Sequence, residues 1–509
     1  MPRRYYSSTA VATTLSGSIN NSTTSVTVTA LSGFPNTTPW TAIIDKDTAS
    51  EEVVTVTAVA GTTLTVTRGV DGTSAVSHNA GAGFSHGVSA RDFDEANSHV
   101  NDTTTDVHSQ YVLKSLINAK GDLITGTADN TPAIQTVGSN GQMLMADSSA
   151  TAGLRYVDPP ANRNMVINGA MQVAQRGTSV TGITGTGYNT ADRWRTVLDS
   201  LGTWTQSVEA DGPTGSGLTK SMKVLCTTAD SSPAAGDRLV IGQRLEGQDL
   251  QRIRKGTASA EPLTLSFWVK SNVTGTYVAT LVDEDNNRLV AASYAVSASA
   301  TWERKTITFP ADSTGALDND NAVSLQAQFW LGAGTTWTSG TLQTTWGANT
   351  AANTYVGGTN LAAATNNYWQ ITGVQLETGP VATPFEFEPY EATLRKCQRY
   401  YQRMKPGTDP FGWLTGFGSA ASTTLLRVPF PLHVPLRATP SAVEYSSLKG
   451  VDAALNSSGA VTAASFTSTT DGNSPPLIGF TTTGLTQDRP YGITADNSTS
   501  AFLAVTAEL

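Results

Sequence analysis

Between residues 162 and 404 apolar and polar side chains alternate with a period of two, which sends one set inward and the other toward solvent. The clearest runs are MKVLC (Met222 to Cys226), LTLSFWV (Leu263 to Val269) and SLQAQFWL (Ser324 to Leu331). Clusters of turn-forming residues separate them, as in TADSSPAAGD from Thr228 and DEDNN from Asp283. About ten such runs predict a large antiparallel, jelly-roll-like sandwich over residues 161–390. After Pro389 the rhythm changes. YEATLRKCQRYYQRM carries Leu394, Cys397 and Tyr401 at helical spacing, which predicts a short helix over 391–405. Alternation then returns over 406–509, broken by prolines in RVPFPLHVPLRATPSAVEY, and predicts a C-terminal β-sandwich domain at a tip.

The front of the chain is built on a smaller scale. Residues 1–88 contain VTVT at Val26 and EEVVTVTAVAGTTLTVTRG from Glu51, read as a β domain with a hairpin turning near Ala60 and Gly61. Gly69 and Gly72 in RGVDGT suit positive φ. A helical connector is predicted over 89–119. Ser89 can cap its first helix with Asp92 reaching back, and Phe93, Ala96 and Val100 share a face. A second helical signal, SQYVLKSLINAKG, groups Val112, Leu113, Leu116 and Ile117 before Gly121. Residues 120–160 hold only short strands, with turns at Asp129–Asn130 and Ser139–Asn140–Gly141. They read as a slender β stalk ending at the stiff Asp158–Pro159–Pro160 joint. Helices of this length do not stand alone in water. A symmetric copy is the simplest source of a second surface, so Phe93, Ala96, Val100, Leu113, Leu116 and Ile117 are the expected contacts between chains.

Composition narrows the partners. The net charge is −9 and no long basic run exists, which disfavours nucleic acid. The basic density at Arg395, Lys396, Arg399, Arg403 and Lys405 reads as a solvated helix face. Cys226 and Cys397 lie far apart with no CxxC pair, so free buried thiols are expected rather than a zinc ribbon. The N-terminal MPRRYYSSTAVATTLSG has no apolar signal core, and no stretch approaches the ~18 apolar residues of a membrane span. The expectation is a chain made in a cytosol, without membrane insertion, yet composed like a surface protein. A virion component released by lysis satisfies both.

Catalytic and metal chemistry was sought along the whole chain. The five histidines (His78, His86, His99, His108 and His433) form no HExxH or His-x-His pattern. Metal held by three copies of His99 or His108 on a symmetry axis is weaker than the plain reading of exposed or capping histidines. No nucleophile elbow or Walker pattern occurs. Carboxylate groups such as Asp283–Glu284–Asp285 or Glu386 and Glu388 are expected in solvated turns, and the first lacks the spacing of a calcium loop. No catalytic residue, metal or cofactor is assigned. The long, polar insertion from Gly332 to Asn367 contains Trp337, Trp346 and Tyr355. These are the candidate glycan-stacking residues, set against the plainer reading that each packs the loop onto the sandwich or a neighbouring subunit. Trp194, Trp268, Trp302, Trp330 and Trp369 lie on or beside strands and are expected in the core.

Several segments, taken together and in order, carry a resemblance. NMVINGAMQVAQRG from Asn164, ADRW from Ala191, IGQRLEG from Ile241, LSFWVKS from Leu265, ITGVQLETG from Ile371 and ATPFEFEPYEATLRKCQRYYQRM resemble tail-fibre and other receptor-binding proteins of tailed phages. EEVVTVT, TVTRGVDGT and SARDFDEANSHV resemble the virion-attached end of similar proteins, and AKGDLITGTADNTPAIQTVG the slender segments that follow. The resemblance implies an elongated homotrimeric fibre, bound to the particle by its N-terminal domain through tail, baseplate or other virion proteins. It also implies sandwich domains related to carbohydrate-binding modules that present a face to a host-surface glycan or protein. The leading expectation is therefore a mainly β, non-enzymatic virion fibre for host attachment, acting at the host cell surface. The alternatives are a depolymerase tailspike that hydrolyses surface polysaccharide, for which no β-helix repeat is visible, and a capsid or baseplate fibre with a purely structural role.

Overall fold

The computed structural model describes residues 4–101, 116–139, 142–157, 162–468 and 472–509. It is mainly β, with 42% strand and 8% helix. The chain forms two compact units, Met1–Thr136 and Val137–Leu509. No helix among the described residues is long and apolar enough to cross a membrane.

The first unit is a six-stranded antiparallel sheet. Its order is Thr13–Thr14, Gly83–His86, Trp40–Ile44, Glu52–Ala60, Thr63–Val70 and Ser25–Thr27. The predicted hairpin turns at Gly61, and Gly69 and Gly72 both have positive φ, at 60° and 79°. Trp40, Phe84, Val54 and Val56 are buried in one small core with Phe34. Each such side chain contributes about 1.5–3 kcal/mol. His78 departs from the expected exposed or capping role. It is buried between Asp45 (2.8 Å) and Glu52 (3.1 Å), and Arg68 pairs with Glu52 at 2.6 Å. The helix runs Ala90–Asn101 and starts as predicted: the Ser89 N–H donates to Asp92 Oδ2 at 2.8 Å. Arg4 binds Asp92 at 2.5 Å and Glu95 at 2.6 Å. Phe93, Ala96 and Val100 are exposed on the single chain, as is Ile117, while Leu116 is half-buried. Leu113 and His108 lie outside the described residues. A hairpin of Leu123–Ala128 and Thr131–Gln135 follows, turning at Asp129–Asn130.

The second unit opens with a hairpin, Met143–Ala146 and Leu154–Val157, and then builds the sandwich. One sheet orders Ser179–Ile183, Thr203–Glu209, Ser221–Thr228, Tyr368–Thr378, Leu263–Ser271 and Glu303–Phe309. The other orders Gly187–Tyr188, Arg195–Asp199, Arg238–Glu246, Val323–Ala333, Gly275–Asp283, Arg288–Val296 and Gly347–Ala348. Trp194, Trp204, Trp369, Phe267 and Phe329 fill the space between them. Trp268 and Trp302 differ from expectation. They are half-buried, and Trp302 Nε1 donates to Asp211 at 3.3 Å. The NMVINGA and ADRW segments act as ties: Asn168 Nδ2 donates to Val173 O and Asp192 O, and Trp194 Nε1 donates to Asn168 O. The turn from Glu284 to Asn287 is exposed as expected, and only the carboxylate that precedes it is withdrawn from solvent. Asp283 is buried and paired with Lys255 at 2.5 Å, beside the Arg288–Asp312 pair at 2.8 Å.

The predicted helix over 391–405 is shorter. It spans Tyr390–Gln398, and Tyr401–Met404 becomes a strand paired with Phe502–Thr506. A partner strand a hundred residues away overrides local helical spacing. A seven-stranded sheet completes the C-terminal domain over a separate core that includes Phe430, Phe480 and Ile493.

Sandwich and C-terminal domain meet over buried charge. Arg193 is fully buried, paired with Glu508, and lies 3.4 Å from the Tyr400 ring centroid. Its Nη2 donates to Arg244 O at 2.7 Å. Arg176 also reaches Glu508, at 3.1 Å, and stacks on Tyr401. Beside them Asp192 accepts from the Gln175 N–H at 2.8 Å and Gln175 Nε2 at 2.5 Å. Burial pushes the Asp192 carboxyl up to about 6 against those bonds. Both cysteines are free and buried.

Candidate functional site

The alternation that fills the sandwich also divides the seven-stranded sheet into two faces. Leu239, Ile241, Leu325, Ala327 and Phe329 point into the core. Their neighbours in sequence form the floor of a groove of about 480 Å³ on the opposite face, within the range of small-molecule sites.

Strand register arranges this floor in rows. Val197, Val240, Trp330 and Val278 stand opposite one another in an apolar row. The next row is Arg195, Gly242, Gln328 and Thr280, and the third is Arg244, Gln326 and Val282. Gly242 keeps its row open. A Cβ there would lie 2.7 Å from Ala327 O and 3.2 Å from Gln328 Cγ, so a larger residue would push into the strand beside it.

The insertion from Gly332 to Asn367 supplies the wall. Tyr355 stacks on Trp330, with ring centroids 6.0 Å apart and planes at 26°. Its hydroxyl donates to Thr359 O at 2.6 Å. Trp337 packs beside Trp330 at 5.2 Å and lines the groove, with the Arg238 guanidinium 4.4 Å from its ring centroid. Gly347–Ala348 pairs with Arg288 and Leu289 and fastens the insertion to the sheet edge.

The polar groups of the floor are ordered by one chain of hydrogen bonds. Trp330 Nε1 donates to Thr280 Oγ1 at 3.1 Å, and Thr280 donates to Gln328 Oε1 at 3.1 Å. Gln328 Nε2 donates to Gln326 Oε1 at 3.0 Å, and Gln326 Nε2 to Glu284. Each amide has one further N–H to offer. Asp199 pairs with Arg238 at 2.6 Å. Burial, then repulsion from Arg244, holds the Arg195 guanidinium below its ordinary range. The groove thus combines fixed amide donors, arginines and an aromatic wall, which suits a ligand with many hydroxyls and an apolar ring face. Both of its carboxylates are already engaged. Among the described residues no group of three His, Cys, Asp or Glu side chains is placed to hold a metal ion.

The three candidate aromatics separate. Only Trp337 lines the groove. Tyr355 is 1% exposed and has no face to offer, because it is the pillar that seats the insertion on Trp330. Trp346 packs against the sandwich core, donates to Pro310 O at 2.8 Å and lies beside Lys255, away from the groove lining. The sequence reading passed over Arg195, Arg238, Arg244, Gln326 and Gln328. Their signal was present in the outward half of the alternating strands, in R-x-V-x-D at Arg195 and Q-x-Q-x-W at Gln326.

No known protein family matches the chain, and neither does any curated protein. Among solved structures, a putative sugar binding protein from Bacteroides thetaiotaomicron is 13% identical, over 42% of this chain and 100% of its own, with a TM-score of 0.26. The family 11 carbohydrate-binding module from Clostridium thermocellum, in complex with a β-1,3-1,4-mixed-linked tetrasaccharide, is 12% identical over 40% and 98%, with a TM-score of 0.21. The enzymatically active domain of tailspike protein 4 of bacteriophage CBA120 is 13% identical over 42% of this chain, with a TM-score of 0.23, and the match spans 21% of that domain's length. The architecture described above rests on strand order and register alone.

Proposed function

We propose that this chain is a receptor-binding fibre protein of a tailed-phage virion. Its groove on the seven-stranded sheet holds a host cell-surface glycan without turning it over. The observation that carries this reading is the groove itself: an open row of fixed amides and arginines beside an aromatic wall. In this reading the first unit attaches to the particle, and three chains assemble through the exposed Phe93, Ala96 and Val100 face, so that weak single-site contacts add as avidity. The binding reading is supported by the groove's two carboxylates, of which Asp199 is paired with Arg238 and Glu284 accepts from Gln326.

The test uses the full chain. Sedimentation should give a species of about 160 kDa, three times 53.2 kDa. Affinity electrophoresis through gels containing bacterial surface polysaccharide should show retardation that Trp337→Ala weakens. Release of reducing ends at sub-stoichiometric protein would overturn the binding-only reading, and retardation untouched by Trp337→Ala would move the site elsewhere.

A further inference from the structure

The charge of the groove is out of keeping with the chain around it. The protein carries 32 Lys and Arg against 41 Asp and Glu, yet three arginines converge on this floor. Arg238 is neutralised by Asp199 at 2.6 Å. Arg195 and Arg244 have no carboxylate partner among the described residues and lie next to each other on one face. Arg244 Nε is buried with no hydrogen-bond partner. The register sets Arg195 opposite Gly242, so Arg244 is its diagonal neighbour on the same face, about 7 Å away between Cβ positions. Arg238 lies further along the same strand as Arg244.

Two half-buried guanidinium groups side by side repel each other and have lost part of their hydration. Folding alone gives no reason to keep them. Each presents a planar fork of donors matched to a two-oxygen anion. Glu284, the free end of the hydrogen-bond chain, lies toward the far strands, so the anion's place is fixed over Arg195 and Arg244. Gln328 beside it faces neutral hydroxyls.

Resting on the glycan-binding reading above, we propose that the ligand is an anionic glycan, with a carboxylate or phosphate of its repeat seated between Arg195 and Arg244. The two anions share one chemistry here, and the test separates them.

Microcalorimetry of the full protein would use polygalacturonate, carboxyl-reduced polygalacturonate, polysialate, polyglycerol phosphate and a neutral galactan. An anionic polymer should bind at least about tenfold more tightly than its neutral counterpart, as charge-assisted hydrogen bonds require. The gap should narrow as salt rises from about 50 mM to about 500 mM. Arg195→Gln and Arg244→Gln should each remove that preference while leaving the melting temperature equal or higher, because each relieves repulsion in the free protein. Whether the uronate and sialate polymers or the phosphate polymer carry the gain identifies the anion. Equal binding of charged and reduced polymers, or a preference that survives both substitutions, overturns the anionic assignment and leaves glycan binding standing. Binding to none of the five overturns the glycan reading as well.

Discussion

Replacing Glu508 by Gln should destabilise the second unit more than its hydrogen bonds from Arg193 and Arg176 alone suggest. Arg193 is fully buried, and Glu508 is the one carboxylate paired with it. The Tyr400 face and Arg244 O also contact the guanidinium, but neither carries a full charge. Gln keeps the shape and one acceptor and removes the charge. An uncompensated buried charge of this kind costs about 3–5 kcal/mol. Unfolding entropy of about 2.1 cal/mol/K per residue gives roughly 0.8 kcal/mol/K for a unit of about 370 residues. A loss of about 4 kcal/mol therefore lowers its melting temperature by about 5 °C if the unit melts as one. Adding Arg193→Met to Glu508→Gln should recover part of the loss, because the stranded cation leaves with its partner. Differential scanning calorimetry of the two single variants and the double variant measures this. A double variant no more stable than Glu508→Gln would refute the argument and assign the cost to packing.

The Asp192 carboxyl, at about 6 folded against about 3.9 unfolded, makes the folded state take up a proton between those values. Its contribution is most favourable below about pH 4 and declines by about 3 kcal/mol as pH rises through 6. Urea unfolding should show the stability of the wild type relative to Asp192→Asn falling across that window, and a flat difference would contradict it. Burial raises the thiols of Cys226 and Cys397, so neither should react with a thiol reagent at about pH 8 until denaturant is added. Phe93→Glu and Val100→Glu alter positions exposed on the single chain, so the stability of the dissociated chain's first unit should change by less than about 0.5 kcal/mol. On the proposed three-chain assembly sedimentation should show dissociation, and an unchanged assembly would remove the helix from the contact.

Much of the fold was legible because alternation is a local signal. The hairpin at Gly61, the cap formed by Ser89 and Asp92, and the strands bearing Leu265 and Phe329 all follow from neighbouring residues. What failed depended on distant ones. Tyr401–Met404 carries helical spacing, but its fate is set by Phe502–Thr506. Asp283 sits in a turn-like run, but Lys255 from another segment buries it. The groove was missed for a related reason. Arg195, Arg244 and Gln328 become neighbours only once Val323–Ala333 is known to lie between Arg238–Glu246 and Gly275–Asp283. Of the three aromatics expected to stack on a sugar, Trp337 alone lines the groove, while its arginines and amides come from the strands beneath.

The seating of Tyr355 on Trp330 separates two tasks that many recognition surfaces mix. The floor's reverse side is the interior of the sandwich, whereas the wall is one long insertion that seats Tyr355 on Trp330, pairs Gly347–Ala348 with the sheet edge and sends Leu361 and Ala362 into the core. Changes confined to its Trp337 end would reshape the opening, whereas changes at Trp346, Leu361 or Ala362 would reach the interior. On the receptor-binding reading proposed above, the fit of the groove can therefore change at that end while the frame that carries it stays the same.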